Sequence, residues 1–269
     1  MRRARQVQAR FLPRPRPRLA SVKCAGLTLP ALAVGGDYYD FIRLSPRRLA
    51  VALADVSGKG VPAALMTACL QAGLRSHYEL GARDLAARLE SLNGLFHGCT
   101  ASGHFVTLFL GEYDDRARRL RYANCGHVPP LVLRDDGSLE WLAPTAGVLG
   151  ISAGWSCATA EVALEVGDTL VAYTDGVTEA MDAAGTLFGE QRLAALLRAT
   201  RRAEPHVLLE RVVDEVRRFG GGSIADDLTL VLVRPCRPVV AGRLSDETQR
   251  NTALWAGPRD RHADLRPPR

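Results

Sequence analysis

Leu49-Ala50-Val51-Ala52-Leu53-Ala54-Asp55-Val56-Ser57-Gly58-Lys59-Gly60-Val61-Pro62-Ala63-Ala64 is the stretch from which the rest of the chain can be read. Six apolar residues closed by an acid describe a short buried strand that delivers a carboxylate to the rim of a sheet. Gly58-Lys59-Gly60 then supplies a flexible turn, and Pro62 suits the first position of a helix. The Ala- and Leu-rich run from Ala63 to Ser76 continues that helix. Strand, acid, turn and helix follow one another within thirty residues.

The same device recurs. Thr169 to Thr174 is a second largely apolar run and ends in Asp175-Gly176, while Gly36-Asp37 and Asp226-Asp227 flank other apolar stretches. An Asp beside Gly, taken alone, reads as a turn former or a helix cap. Asp55 and Asp175, however, end buried strands, where a carboxylate is poorly solvated unless a cation or several donors meet it. Strand ends from distant parts of a chain can converge on one oxygen-rich pocket of the kind hard divalent cations require. A two-metal site answers that need, with ions roughly 3.5 to 4 Å apart that lower the pKa of a water and stabilise in-line attack on phosphorus.

Outward from these sites, a helix is expected from Asp84 as N-cap through Leu85, Leu89, Leu92 and Leu95. Phe105 to Leu110, a turn at Asp114 to Ala117, and Leu120 to Ala123 make a hairpin. Leu131 to Leu133 and Leu139 to Trp141 make another around Asp135-Asp136-Gly137, followed by a strand over Ala158 to Leu164. Two helices, Glu190 to Thr200 and Pro205 to Phe219, precede Gly220-Gly221-Gly222 and a last strand, Leu228 to Val233. Strand blocks separated by helix pairs predict an α+β fold: two mainly antiparallel sheets flanked by helix layers.

The 269 residues are 47% apolar, enough for one large domain or two small ones. The formal charge of +6 is unevenly held. Residues 1–18 carry seven Arg and no acid, residues 236–269 carry seven Arg against four acids, and positions 19–235 hold 21 basic and 25 acidic residues. Basic ends on an acidic body argue for solvated tails rather than specific nucleic-acid binding. Six scattered cysteines offer neither a zinc spacing nor a disulfide framework, so a reducing cytoplasm is the expectation. No apolar stretch reaches membrane-spanning length, and Pro13, Pro15 and Pro17 stand where a signal peptide needs its apolar segment. Residues 1–11 read as final helical turns, 1–19 as an Arg/Pro-rich linker, 20–235 as the functional domain, and 236–269 as a disordered tail.

Five segments together resemble the SpoIIE/RsbU branch of the PPM (PP2C-like) protein serine/threonine phosphatases. They are Val34-Gly35-Gly36-Asp37-Tyr38-Tyr39-Asp40-Phe41, Ala54 to Ala64, Tyr122-Ala123-Asn124-Cys125-Gly126-His127-Val128-Pro129-Pro130, Tyr173-Thr174-Asp175-Gly176-Val177-Thr178-Glu179-Ala180, and Asp226-Asp227-Leu228-Thr229. The resemblance implies an αββα sandwich and two Mn²⁺ or Mg²⁺ ions. It implies that Asp37 and Asp55 bind one ion with the backbone carbonyl of Val56, that Asp55 bridges to the second, and that Asp175 and Asp226 complete the second site. Asp227 stands where relatives often carry Asn, so either acid of that pair is a candidate ligand.

The implied reaction is direct hydrolysis of phosphoserine or phosphothreonine by a metal-activated water. The implied partner is a phosphorylated STAS-domain anti-sigma-factor antagonist, with a homodimer among the options. Relatives often carry a sensor domain joined by a helix, so the short segment here predicts regulation that is absent or supplied in trans, unless further sequence precedes it. Lys59 is a candidate phosphate contact, though Gly-Lys-Gly falls far short of a P-loop and a surface lysine explains it equally. His127 is expected to hold its loop by hydrogen bonds, Asp40 to stand behind the acids, and Tyr38, Tyr39 and Phe41 to pack. Three other readings compete: an inactive PPM-like partner-binding module, a different two-metal enzyme such as a nucleotidyl cyclase, and nucleic-acid binding by the tails.

Overall fold

The computed structural model describes residues 1–13, 19–81, 84–99 and 103–237. In chain order, α1 (Arg2–Gln8) precedes β1 (Val22–Leu29), β2 (Tyr38–Ser45) and β3 (Arg48–Val56). Then come α2 (Val61–Glu79), α3 (Leu85–Cys99), β4 (Val106–Asp114), β5 (Arg119–Cys125), β6 (Leu131–Leu133) and β7 (Leu139–Trp141). The remainder is β8 (Ala160–Ala163), β9 (Thr169–Tyr173), α4 (Asp175–Thr178), α5 (Gly189–Thr200), α6 (Pro205–Phe219) and β10 (Leu228–Pro235).

These strands form two five-stranded sheets, ordered β1-β10-β9-β6-β7 and β2-β3-β4-β5-β8, with every neighbouring pair antiparallel. Alternation along β3 explains how they stack. Val51 and Leu53 enter the layer between the sheets with Leu170, Ala172, Val231 and Val233. Ala52, Ala54 and Val56 face the other way, onto Leu70 and Leu74 of α2 and Leu89 and Leu92 of α3. On the far side of the sandwich, Leu208, Val212 and Val216 of α6 and Leu193 and Leu197 of α5 cover Val171, Tyr173, Leu230 and Leu232. The architecture is the αββα sandwich, and burial on both faces is why β3 and β10 read as nearly unbroken apolar runs. Each fully buried Leu or Val contributes about 1.5 to 3 kcal/mol, against at most about 1 kcal/mol for an exposed pair such as Arg218–Glu215. The apolar stripe therefore docks α6, and its ion pairs do not.

Two strands lie where local pattern carries no strand signal. In β1, Lys23, Gly26 and Thr28 interrupt the apolar pattern, and the segment becomes a strand by pairing along its whole length with β10. In β2, Asp40 breaks the apolar run yet is fully buried, because Arg75 of α2 donates to both its oxygens at 2.7 and 2.9 Å and Tyr38 Oη donates at 2.8 Å. Asp84 accepts the Ala86 N–H at 3.3 Å and so caps α3. The N-terminal helical turns are those of α1. The expected connector falls largely at 14–18 and the expected tail at 238–269, both outside the described residues. No helix among the described residues is long and apolar enough to cross a membrane.

Register fixes where the acids go. β2 begins where β3 ends, with Tyr38 opposite Ala54. In the other sheet β10 begins near the end of β9, with Leu230 opposite Tyr173, and β1 ends there too, with Leu29 opposite Leu228. All four acid sites hang from one end of the sandwich.

Candidate functional site

Asp37 sits in the loop entering β2, Asp55 is the penultimate residue of β3, Asp175 opens the single turn of α4, and Asp226 and Asp227 lead into β10. The loops interlock across the two sheets. Asp227 accepts the Ala31 N–H at 2.8 Å on Oδ1 and the Gly36 N–H at 2.7 Å on Oδ2. Asp37, 6% exposed, accepts the Thr174 hydroxyl at 2.9 Å and the Thr229 hydroxyl at 2.5 Å on Oδ2. The Thr28 and Thr229 hydroxyls lie 2.8 Å apart; since Thr229 gives its proton to Asp37, Thr28 donates to Thr229.

Glycine lets the backbones approach. A Cβ on Gly36 would lie 2.7 Å from the Val56 carbonyl oxygen and 3.6 Å from Asp55 Oδ1, and one on Gly176 would lie 2.1 Å from the Asp227 carbonyl oxygen. Residues at these two positions bring Asp55, Val56, Asp175 and Asp227 together only because they lack a side chain.

Electrostatics record the crowding. Burial first, then Asp55 and Asp227, pushes the Asp37 carboxyl well above the usual carboxylate range, against the two threonine hydroxyls. Asp55 is pushed up to about 7 by burial and then by Asp175, Asp226 and Asp227. Asp175 is raised by burial, Glu179 and Asp226; Asp227 is raised by burial against the backbone N–H groups of Ala31 and Gly36. Lys59 is a cation acting on this cluster, with Nζ 3.0 Å from Asp226 Oδ2 and 3.4 Å from the Ala225 carbonyl. Both partners are about half exposed, so the pair contributes at most about 1 kcal/mol and Lys59 leaves it easily.

All seven residues singled out in the sequence, Asp37, Asp55, Val56, Lys59, Asp175, Asp226 and Asp227, thus meet in one place. Among the described residues, no three His, Cys, Asp or Glu side chains stand close enough to enclose a metal ion as placed. Three of the acids are engaged in other bonds: Asp227 with backbone amides, Asp37 with hydroxyls, Asp226 with Lys59 and the Asp227 N–H. The donor chemistry nevertheless fits a hard divalent cation, being oxygen-only, partly buried and mutually repelling.

Asp40 stands outside the cluster, pinned by Arg75. His127 is buried, its Nδ1 2.8 Å from Thr107 Oγ1 and its N–H donating to Asn124 Oδ1 at 2.9 Å. Burial pushes its pKa down to about 4, against a weaker upward pull from the Tyr173 backbone. The enclosed imidazole holds its loop through these bonds.

Sequence reasoning missed the residues that aim the acids. Thr174 and Thr229 belong to the quoted acid segments, and hydroxyls beside acids at buried strand ends were the available signal. Gln8 carried none. Its Nε2 donates to the Gly35 carbonyl at 2.6 Å and its Oε1 accepts the Gly35 N–H at 3.1 Å, which clamps the peptide next to Gly36 and Asp37.

The chain is similar to several known proteins. Residues 45–235 match the family described as Stage II sporulation protein E (SpoIIE). Protein IcfG of Synechocystis sp. is 30% identical over 260 residues, covering 87% of this chain and 41% of that protein. Phosphoserine phosphatase RsbU of Bacillus subtilis is 28% identical over 232 residues, covering 86% of this chain and 68% of that protein. The solved SiaA-PP2C domain of Pseudomonas aeruginosa has a TM-score of 0.75 at 26% identity, over 86% of this chain and 94% of that one. The chain spans about two fifths of the Synechocystis protein's length.

Proposed function

The chain belongs to the Stage II sporulation protein E (SpoIIE) family, and on that premise we propose that it hydrolyses phosphoserine or phosphothreonine esters on a regulatory protein. The observation that supports this reading most is the meeting of five carboxylates from four chain segments, with Asp37, Asp55, Asp175 and Asp227 raised by burial and by neighbouring acids. The similarity to the phosphatase named RsbU supports the ester class.

Asp37, Asp55, Asp175 and Asp226 would hold two Mn²⁺ or Mg²⁺ ions, together with the Val56 carbonyl. Divalent ions bound there supply Lewis-acid activation of water and neutralise charge on the phosphoryl group. Asp226 is the better ligand of its pair: it is half exposed, with Oδ2 on Lys59 and Oδ1 on the neighbouring Asp227 N–H at 2.9 Å, whereas both oxygens of Asp227 are held by the distant Ala31 and Gly36 N–H groups. Asp227 then acts as the peg that keeps the Gly36-Asp37 loop against β10. The Thr174 and Thr229 hydroxyls fix which oxygen of Asp37 faces the site. Lys59, released from Asp226, carries its ammonium at the open side of the cluster, where a phosphate dianion arrives from solvent.

The substrate we favour is a phosphorylated STAS-domain antagonist of an anti-sigma factor. Phosphate release from such a protein of the same genome, measured with Mn²⁺, with Mg²⁺ and with EDTA, tests the reading. Turnover is expected only with an ion, and it should vanish in Asp55→Ala and Asp175→Ala while the melting transition persists. Full turnover in EDTA, or in both variants, overturns the reaction; binding without turnover favours a partner-binding module.

A further inference from the structure

Cys24, Cys69, Cys125, Cys157 and Cys236 are all unbridged, but two of them are neighbours. Cys125 is the last residue of β5 and fully buried. Cys157, between β7 and β8, is partly exposed and packs into the same apolar cluster. The intervening chain folds back to bring them together. Thr145 and Ala146 donate their N–H groups to the Asn124 carbonyl at 2.8 and 3.1 Å, and Ala146 pairs with Cys125 as a parallel bridge. Trp155 Nε1 donates to the Gly147 carbonyl at 2.8 Å and closes the loop that returns Cys157 to β5. The Thr145 hydroxyl accepts the Asn124 N–H at 3.0 Å, Cys157 Sγ donates to the Ala158 carbonyl at 3.1 Å, and the Cys125 and Cys157 thiols act on each other's ionisation.

The pair has a direction. The contact with Cys157, then burial, pushes the Cys125 thiol up. The contact with Cys125 lowers the pKa of Cys157, against burial. Cys157 is the sulfur solvent can reach, and Cys125 is fully buried behind it.

We propose that Cys157 and Cys125 form an oxidation site at which a hydroperoxide is reduced and an intramolecular disulfide closes. The Cys157 thiolate attacks one peroxide oxygen, the O–O bond breaks, and hydroxide leaves; Cys157 becomes a sulfenic acid. Cys125 sulfur then attacks the Cys157 sulfur, the S–O bond breaks, and the Cys125 proton leaves with the departing hydroxide as water. Two thiols and one hydrogen peroxide give one disulfide and two waters. The cross-link ties β5 to a segment whose Leu149 also pairs with Val106 at 2.8 and 3.0 Å, and Val106 lies opposite Val56 beside Asp55. This inference is independent of the phosphatase reading.

Mapping tests it directly. The full chain is treated with dilute hydrogen peroxide, its free thiols are blocked with N-ethylmaleimide, and it is digested with trypsin without reduction. Cys125 falls in the peptide 122–134 and Cys157 in 135–192, each the sole cysteine of its peptide. The expected result is one linked species that reduction removes, a loss of two of the six alkylatable thiols, and a melting temperature raised by several degrees. Cys157→Ser should retain the Cys125 thiol and form no link, whereas Cys69→Ser, at an exposed site, should leave the link intact. In Cys125→Ser, Cys157 should persist as a sulfenic acid trapped by dimedone. Oxidation of Cys69 while Cys125 and Cys157 stay alkylatable, or conversion of Cys157 to a sulfinic acid with no linked species, overturns the proposal.

Discussion

Asp37 and Asp40 lie three residues apart, both buried, and the fold treats them in opposite ways. Asp40 receives the Arg75 guanidinium, the Tyr38 hydroxyl and the Phe41 N–H, so every lone pair that matters is met by the protein. Asp168, at the other end of β9, is likewise met by Arg134 at 2.6 Å. Asp37 has two hydroxyls and, around it, further acids. Asp40 and Asp168, which serve the architecture, are each given a guanidinium; Asp37, left among other acids, is raised by burial and by their repulsion.

Substitutions can break that contrast. The largest effect is expected at the acid cluster: Asp175→Ala or Asp55→Ala should lower kcat/KM more than about a thousand-fold, since even a residue standing behind a metal ligand is worth ~10- to 100-fold. Next comes the architectural acid. Asp40→Ala should destabilise the protein by about 3 kcal/mol in chemical denaturation, the low end for a broken buried pair because Arg75 can rehydrate. An unchanged midpoint for Asp40→Ala would erase the distinction between the two kinds of carboxylate.

The ion-free protein sharpens the comparison through pH. Asp55 holds its proton in the folded state up to about 7, above its ordinary value of 3.8, so the folded state binds more protons than the unfolded one between those values. Stability from this group is therefore fully present below about pH 4 and is lost as pH rises through 7. Melting in EDTA should fall over that window, Asp55→Asn should flatten the fall, and Mn²⁺ should restore the melting temperature at pH 8. Thr229→Val removes a hydroxyl from Asp37 and should weaken Mn²⁺ binding about ten-fold in a calorimetric titration, with little change in kcat at saturating ion. Smallest of all, Lys59→Ala should raise KM for the phosphoprotein a few-fold and leave ion affinity unchanged or slightly improved, because an exposed ion pair carries little energy. No change in KM would remove Lys59 from the proposal.

The outer sequence of strand and helix was legible because burial on both faces writes itself as unbroken apolar runs, as in Leu49 to Ala54 and Leu228 to Val233. The strands β1 and β2 were not, since Lys23, Gly26 and Asp40 are tolerated only once β10 and Arg75 are beside them. The acids could be read from their positions at strand ends. Their orientation could not: Asp227 facing the Ala31 and Gly36 amides, and Gln8 gripping Gly35, join residues up to 196 positions apart. Local pattern carries an acid to the rim; only the finished packing decides what it faces.

The order β1-β10-β9 sets a schedule for synthesis. The strand that arrives last among those described slots between the first and the ninth, and it brings Asp226 and Asp227 with it. A chain emerging from the ribosome can complete the other sheet from β2 to β8 long before this one, because those contacts are closer in sequence. A nascent or prematurely terminated chain thus presents Asp37 and Asp55 without Asp226 and Asp227.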